Sequence, residues 1–165
     1  MFSKTLLEKS ERLIEECRQE GVGLVTAESC TGGLLAGCLT AVPGASDIFT
    51  QGFVTYANEA KVEILGVPEA LLARYGAVSE EVVRAMVEGA KRTMAHASLV
   101  LAVTGIAGPS GSTAEKPVGL VHIAANGKEI LHERLEFSGN RDEIRLTAVA
   151  AVLDLGLKTL RNSGP

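Results

Sequence analysis

The chain has 165 residues, of which 46% are apolar and 22% are charged, and this composition excludes intrinsic disorder because it supplies enough apolar surface for a core. Sixteen Lys and Arg residues against twenty Asp and Glu residues leave a net charge of −4, which argues against nucleic acid or an anionic membrane as a partner. The length suits one domain, so we expect residues 1–165 to form a single unit.

Neither a membrane span nor a metal centre is expected from the sequence. The longest apolar stretch, around Ala97–Ala107, is shorter than the roughly 20 residues of a spanning helix. The charged segment before Val22 lacks the apolar core of a secretory signal, so we expect a cytoplasmic protein. Cysteines at irregular spacing favour free thiols, and scattered histidines argue against zinc; these residues are Cys17, Cys30, Cys38, His96, His122 and His132.

Helices and strands alternate over the first two-thirds of the chain. The spacing of apolar residues predicts an amphipathic helix over Ser3–Gln19, which Gly21 ends. Asn58 is a good N-cap and Gly66 a good stop for a later helix. The other predicted elements are, in order, a strand over Val22–Thr26, a helix over Thr31–Thr40, a strand over Phe49–Tyr56, a helix over Glu59–Leu65, a short helix over Pro68–Tyr75 with Pro68 in its first turn, and a helix over Val82–Met94 that starts near Ser79.

The last third of the chain contains a hairpin between a buried strand and a long helix. The apolar run Leu99–Thr104 predicts a central strand that is covered on both faces. After the glycine-rich residues Gly105–Gly111, two strands over Val118–Ala125 and Ile130–Phe137 surround the turn Asn126-Gly127, and a helix over Arg141–Leu160 follows. This order predicts a three-layer α/β/α sandwich with a mixed, mostly parallel sheet of about five strands. Ligands of such sheets bind beyond the carboxyl ends of the strands.

The junction Thr26–Gly33 is the first candidate for chemistry. We expect a turn at Glu28-Ser29 and a helix that begins near Thr31. The free N–H groups and partial positive charge of that helix start would stabilise an oxyanion beside Ser29, the candidate nucleophile. A role of Ser29 as a helix cap explains the same pattern without catalysis, so both interpretations stay open.

A lysine near the start of the next predicted helix is the candidate base. With Asn58 as N-cap, Lys61 is the third helical residue, where the helix dipole disfavours a cation. Partial burial would lower its proton affinity further, and a lysine base beside a hydroxyl nucleophile is a known catalytic arrangement. Tyr56 would relay a proton or hold the lysine. The alternative is a solvated lysine on a helix surface and a tyrosine at a strand end.

Two further segments have features that bind anions. The glycine-rich loop Thr104–Gly111 lets backbone N–H groups approach a ligand, although it is no P-loop because no Gly-Lys-Ser/Thr follows. Arg141 and Arg145 lie on one face of the last predicted helix, and Arg141 is a candidate clamp for a phosphate. The alternative is that Arg141 pairs with a carboxylate on the surface, the candidates being Asp142, Glu143 and Glu136.

Six motifs follow one another along nearly the whole chain: Thr26-Ala-Glu-Ser-Cys-Thr-Gly-Gly33, Gly52-Phe-Val-Thr-Tyr-Ala-Asn-Glu-Ala-Lys61, Gly76-Ala-Val-Ser79, Thr104-Gly-Ile-Ala-Gly-Pro109, Lys116-Pro-Val-Gly119 and Gly139-Asn-Arg141. In this order they resemble the CinA C-terminal domain family, the nicotinamide-nucleotide amidohydrolases of the competence/damage-inducible-protein type. The chain departs from the family at one point: the family loop often reads Gly-Pro-x-Gly-Gly, whereas Ser112 follows Gly111 here.

The resemblance implies an enzyme that hydrolyses the carboxamide of nicotinamide mononucleotide to nicotinic acid mononucleotide and ammonia, in pyridine-nucleotide salvage and without a metal or other cofactor. It implies Ser29 as nucleophile, Lys61 as its base and Tyr56 as an assistant. Arg141 is our candidate for the substrate phosphate. The implied substrate-binding residues of the two loops are Cys30, Thr31, Gly32, Gly33, Thr104, Gly105, Ile106, Ala107 and Gly108.

Three alternatives stay open at the level of sequence. Cys30 is a possible nucleophile in place of Ser29, because thiols at helix starts are activated. A nucleotide-binding or partner-binding module without turnover would use the same loops and helix ends. A purely structural interaction domain would respond to no small molecule. We also expect a homodimer, since two-fold dimers are the commonest oligomers of soluble proteins.

Overall fold

The computed structural model describes residues 1–94, 97–127 and 129–162, so His96 lies outside the described residues. Within these ranges the elements are α1 (Lys4–Glu20), β1 (Gly23–Glu28), α2 (Leu34–Thr40), β2 (Phe49–Val54), α3 (Asn58–Leu65), α4 (Glu69–Tyr75), α5 (Glu80–Thr93), β3 (Ala97–Gly105), β4 (Leu120–Asn126), β5 (Ile130–Glu136) and α6 (Arg141–Asn162), with a short 3-10 helix at Ala45–Asp47. None of the helices described is long and apolar enough to cross a membrane.

The five strands form one mixed sheet in the order β2-β1-β3-β4-β5. β1 pairs with β2 and β3 in parallel, whereas the pairs β3–β4 and β4–β5 are antiparallel. β5 therefore runs in the same direction as β1, β2 and β3, and only β4 is reversed. The prediction of a mixed, mostly parallel sheet of about five strands is confirmed.

Side chains of alternate strand residues build a separate core on each face of the sheet. Leu24 and Leu101 point to the face covered by α1, α2 and α6, where they pack with residues such as Leu13. Val25 and Val100 point to the opposite face and pack against α5 and the end of α3. β3 is thus buried on both faces, as its continuous apolar run predicts. Helices on both faces of a sheet make the predicted three layers.

Several predicted element boundaries are wrong, and glycine explains the largest error. α2 begins at Leu34 rather than near Thr31, because Gly32 and Gly33 have φ values of 57° and 97°, which a right-handed helix cannot contain. β1 extends through Glu28, which was expected in a turn. The turn at residues 29–33 therefore starts directly at the carboxyl end of β1.

The caps of two later helices also differ from the prediction. Asn58 is the first residue of α3 and Ala57 occupies the cap position, without a side-chain hydrogen bond. Pro68 is the cap of α4 rather than a residue of its first turn. Ser79, by contrast, caps α5, since its Oγ accepts a hydrogen bond from the N–H of Val82.

Candidate active site

The carboxyl ends of the three parallel strands β1, β2 and β3 meet at one edge of the sheet. A cleft of about 280 Å³ opens there, at the position where such sheets bind ligands. Its walls come from the ends of β1 and β3, the starts of α3 and α6, the connection between α4 and α5, and the glycine-rich loop. The residues that line it are Ser29, Cys30, Tyr56, Asn58, Lys61, Ala77, Val78, Thr104, Gly105, Ile106, Ala107, Gly108, Ser110, Gly111 and Arg141.

Ser29 and Lys61 meet at the bottom of this cleft. Lys61 Nζ lies 3.0 Å from Ser29 Oγ, and its other contacts are with the backbone oxygens of Thr55 at 2.8 Å and Tyr56 at 3.2 Å. Lys61 is fully buried, so the alternative of a solvated surface lysine is wrong. The amine thus lies among three oxygens: as an ammonium it would donate to all three, and as a neutral amine it would donate to the two carbonyls while its lone pair accepts the Ser29 proton.

Burial governs the protonation of this lysine. Desolvation lowers the pKa of Lys61 below its ordinary value, and the neighbouring Cys30 opposes this only as a smaller effect. Among the described residues, no carboxylate forms an ion pair with Lys61. The helix start contributes less than expected, because Lys61 is the fourth residue of α3 rather than the third. Burial without a carboxylate partner therefore shifts Lys61 toward the neutral form that a general base requires.

The backbone holds Ser29 at the end of β1. Its N–H donates to the carbonyl oxygen of Val103 on β3 at 3.0 Å, and its carbonyl accepts from the N–H of Gly32. The side chain is 8% exposed and faces the cleft rather than the start of α2. Ser29 therefore does not cap the helix, and that alternative is wrong.

The cap of α2 is Glu28, a residue to which the sequence motifs assigned no role. Its side chain is fully buried at the end of β1. One carboxylate accepts four hydrogen bonds, from Thr31 Oγ1 at 2.6 Å and from the N–H groups of Gly33 at 3.0 Å, Leu35 at 3.0 Å and Ala36 at 2.8 Å. The donors of this helix start are thus occupied. The prediction that they stabilise an oxyanion is wrong, because the Glu28 carboxylate occupies them; an acidic residue close to the start of a helix is the sequence signal that could have indicated this contact.

Arg145 holds the same turn from the side of α6. Its guanidinium donates from Nε to the carbonyl oxygen of Cys30 at 3.2 Å and from Nη2 to that of Thr31 at 3.1 Å, and Nη1 lies 3.7 Å from the carboxylate of Asp142. The N–H groups of Cys30 and Thr31 have no backbone acceptor among the described residues. Of the two residues only Cys30 lines the cleft, so its N–H replaces the helix start as the candidate oxyanion donor.

Tyr56 and Arg141 lie together at the mouth of the cleft. The Arg141 guanidinium donates to the phenolic oxygen of Tyr56 at 2.8 Å and to the carbonyl oxygen of Gly108 at 2.6 Å. The Tyr56 ring is exposed, and only the backbone oxygen of this residue contacts Lys61. Tyr56 therefore holds the lysine through its main chain.

The predicted alternative of an ion pair for Arg141 is wrong. Arg141 has no ion pair within the described part of the chain, and the three candidate carboxylates have other partners. Asp142 lies near Arg145, Glu143 accepts from the N–H of Asn140, and Glu136 pairs with Arg134. The positive charge of Arg141 is therefore available to a ligand in the cleft.

The remaining predicted binding residues divide into two groups. Six line the cleft: Cys30, Thr104, Gly105, Ile106, Ala107 and Gly108. Three lie behind its wall, among the contacts of Glu28 and Arg145: Thr31, Gly32 and Gly33. Thr104 has a second contact, since its hydroxyl donates to the carbonyl oxygen of Ala77 at 2.9 Å.

The Cys30 thiol is a poor candidate for the nucleophile. It is 5% exposed, and burial raises its pKa to about 12, so that the thiol is protonated at neutral pH. Cys17, Cys30 and Cys38 are all free and buried, which confirms the expectation of unpaired thiols. In the described ranges no three His, Cys, Asp or Glu side chains are grouped as ligands for a metal ion.

Comparisons with known proteins agree with this architecture. The family model of the CinA C-terminal domain matches residues 7–160. A CinA-like protein of Geobacter metallireducens is 54% identical over 137 residues, and one of Citrifermentans bemidjiense is 48% identical over 155. These alignments cover 82% and 93% of this chain but only 33% and 37% of the relatives, so the chain spans about a third of their length.

Solved structures match the chain over almost its whole length. The competence/damage inducible protein CihA from Agrobacterium tumefaciens has a TM-score of 0.93 at 43% identity, with 98% of each chain covered. A competence-damaged protein (CinA) superfamily protein from Escherichia coli has a TM-score of 0.89 at 33% identity, with 97% of this chain and 94% of the other covered. The family match, the relatives and the common fold together show that this chain belongs to the CinA C-terminal domain family.

Proposed function

We propose that this protein is a serine amidohydrolase that converts nicotinamide mononucleotide and water to nicotinic acid mononucleotide and ammonia, within cytoplasmic pyridine-nucleotide salvage. The single observation that carries the proposal is the Lys61 amine, buried and 3.0 Å from the Ser29 hydroxyl. A neutral lysine beside a serine is an arrangement for acyl transfer, because it removes the proton that makes the hydroxyl a weak nucleophile.

The reaction begins when Ser29 Oγ attacks the carboxamide carbon and its proton passes to Lys61 Nζ. The tetrahedral intermediate then breaks its C–N bond while Lys61 returns the proton to the departing nitrogen, which leaves as ammonia. Water attacks the resulting ester, with Lys61 again as base, and the proton finally returns to Ser29. Each proton that Lys61 takes is given back, so a single amine serves both halves of the reaction.

The negative charge of the intermediate needs donors beside Ser29. The N–H group of Cys30 suits this role, since Cys30 lines the cleft directly after Ser29 and its N–H has no backbone acceptor among the described residues. Removal of one such donor typically costs about 3 kcal/mol of transition-state stabilisation.

The substrate phosphate would bind Arg141 at the mouth of the cleft. Two of the five N–H donors of a guanidinium are used by Tyr56 and Gly108, which leaves others for an anion. No carboxylate neutralises this guanidinium among the described residues, so its charge is available to an anionic group at the mouth of the cleft. The ring of Tyr56 beside it offers a surface for the sugar or the pyridine.

Ammonia release from nicotinamide mononucleotide by the purified protein tests the proposal. We expect the Ser29→Ala variant to lose release by about a thousandfold or more while its thermal unfolding is unchanged. Cys30→Ser is the matched control at the next position, and we expect it to keep most of the activity. Turnover in Ser29→Ala equal to that of the unaltered protein would end the proposal, and turnover lost only in Cys30→Ser would assign the thiol instead.

A binding module without turnover is the second candidate, because the same cleft and the same arginine would hold a nucleotide. It predicts that nicotinamide mononucleotide raises the melting temperature without any release of ammonia. Time-resolved ammonia measurement on the same sample separates the two candidates.

A further inference from the structure

Two of the sequence motifs have no part in the chemistry above, yet both adjoin the cleft. Gly76-Ala-Val-Ser79 joins α4 to α5, and its residues Ala77 and Val78 line one wall. Lys116-Pro-Val-Gly119 precedes β4 and follows the glycine-rich loop, which forms another wall. Contacts between these motifs join the two walls of the cleft.

The first contact joins Lys116 to the end of α4. Lys116 Nζ donates to the carbonyl oxygen of Tyr75, the last residue of that helix. A cation is favoured at a helix C-terminus because the last carbonyls are unpaired and carry partial negative charge. Gly76 makes room for the ammonium: a Cβ at this position would lie 3.1 Å from Lys116 Nζ, and its φ of 76° also favours glycine.

Two more contacts hold the same wall. Ser79 Oγ donates to the carbonyl oxygen of Gly76 at 2.8 Å, and Thr104 Oγ1 donates to that of Ala77 at 2.9 Å. The carbonyls of three successive residues, 75 to 77, are thus each bound by a different side chain. Of these side chains, only Lys116 comes from the segment that follows the glycine-rich loop.

The segment that carries Lys116, residues 112–118, is here called the strap. It turns through reciprocal bonds, since the Thr113 N–H donates to the Lys116 carbonyl at 2.9 Å and the Lys116 N–H to Thr113 Oγ1 at 3.1 Å. The strap also packs on the glycine-rich loop. A Cβ at Gly108 would lie 2.5 Å from Val118 Cγ1, so this valine sits directly on Gly108, whose carbonyl binds Arg141.

We propose that Lys116 is a positioning residue. Its hydrogen bond to the Tyr75 carbonyl, here called the latch, joins the strap to the end of α4. The latch thereby sets the distance between the Ala77–Val78 wall and the glycine-rich loop for the substrate. The proposal rests on the proposed function, because it concerns substrate binding in the same cleft. Lys116 itself does not line the cleft. Ser29 follows β1 and Lys61 lies on α3, both outside the contacts of Lys116, so Lys116 acts on binding rather than on the chemical step.

The kinetic test compares Lys116→Met with Lys116→Arg. Methionine keeps the length of the side chain but cannot donate, so we expect the KM for nicotinamide mononucleotide to rise about tenfold with kcat within twofold of normal, as for loss of uniform binding. Arginine restores a charged donor and should recover most of the loss. Lys91→Met, on the exposed face of α5, is the control and should change neither constant. A loss confined to kcat, or no kinetic change in Lys116→Met, overturns the proposal.

Hydrogen exchange in the free protein supplies a readout that needs no turnover. We expect Lys116→Met to speed exchange in peptides that cover residues 70–80 and 105–118 together, while β1 and β3 exchange as before. Faster exchange throughout the sheet, or in only one of the two peptides, overturns the latch. Should the unaltered protein release no ammonia, the proposed function fails, yet the exchange result still decides whether Lys116 joins the two walls.

Discussion

Replacement of Glu28 by glutamine tests how the turn at residues 29–33 is held. The side chain is fully buried and accepts four hydrogen bonds, three at Oε2 and one at Oε1. Glutamine keeps the shape, but its amide nitrogen cannot accept. In the better orientation the amide oxygen keeps the three bonds of Oε2, and the N–H of Ala36 faces another donor. In the other orientation three bonds are lost.

The expected cost follows from these contacts. An unpaired buried donor costs about 1–3 kcal/mol, and each of three remaining bonds loses roughly 1 kcal/mol when its acceptor becomes neutral. We therefore expect Glu28→Gln to lower the free energy of unfolding by about 5 kcal/mol, a large part of the 5–15 kcal/mol typical of a domain. For a chain of this size that corresponds to a fall in melting temperature of roughly 15 °C.

Urea unfolding followed by circular dichroism measures this loss. Glu88→Gln is the matched control, because Glu88 is exposed on α5, and we expect a change within about 0.5 kcal/mol. A Glu28→Gln protein within about 1 kcal/mol of the unaltered chain would refute the reasoning, since the four donors of the turn would then need no carboxylate.

Two further predictions concern pH. Burial lowers the pKa of Lys61, so kcat/KM for the proposed reaction should rise with pH as this amine loses its proton and reach its plateau below the ordinary lysine range; a rising limb at ordinary lysine values would contradict a neutral base. Burial also lowers the pKa of His122 from 6.5 to about 4, so between these values the unfolded chain binds a proton that the folded chain does not. The contribution of His122 to the free energy of unfolding is therefore fully present above pH 6.5, and up to about 3 kcal/mol of it is lost as the pH drops toward 4. Urea unfolding at a series of pH values across this window measures the effect. The free energy of unfolding should change less steeply with pH in His122→Gln, because glutamine does not titrate. An equal dependence on pH in both proteins would refute the assignment of this loss to His122.

The local pattern of apolar residues predicted those strands and helices whose environment is set by burial in the core. The run Leu99–Thr104 indicates a strand covered on both faces, and β3 has this environment because helices pack on each side of it. The start of α2 was missed for the opposite reason. The positive φ of Gly32 and Gly33 is imposed by the way the turn folds around the Glu28 carboxylate, and helix propensity contains no information about that contact.

The sequence predicts those site residues that follow parallel strands, because the carboxyl ends of these strands meet at one edge of the sheet. Ser29 and Lys61 are 32 positions apart, yet each follows a strand of the same parallel pair, and the carboxyl ends of such strands share one edge. The sequence places Arg145 on the same helix face as Arg141 but does not predict its contact with the Cys30 carbonyl, which spans 115 positions and depends on how α6 packs across the sheet. Rules based on residue spacing do not predict contacts over such a separation. Only the tertiary structure shows that Arg145, rather than Arg141, faces the turn.

In the proposed reaction, the surroundings of Lys61 would let one amine serve as both base and acid. A carboxylate partner would stabilise the ammonium and hold the proton, whereas the backbone oxygens of Thr55 and Tyr56 carry no formal charge. They accept hydrogen bonds from the amine in either protonation state, so the side chain keeps its position when the proton arrives. Desolvation then limits the lifetime of the cation, because a buried charge without a counter-ion is costly. In the proposed reaction, the same burial that favours the neutral base would therefore make protonated Lys61 a stronger acid toward the departing nitrogen.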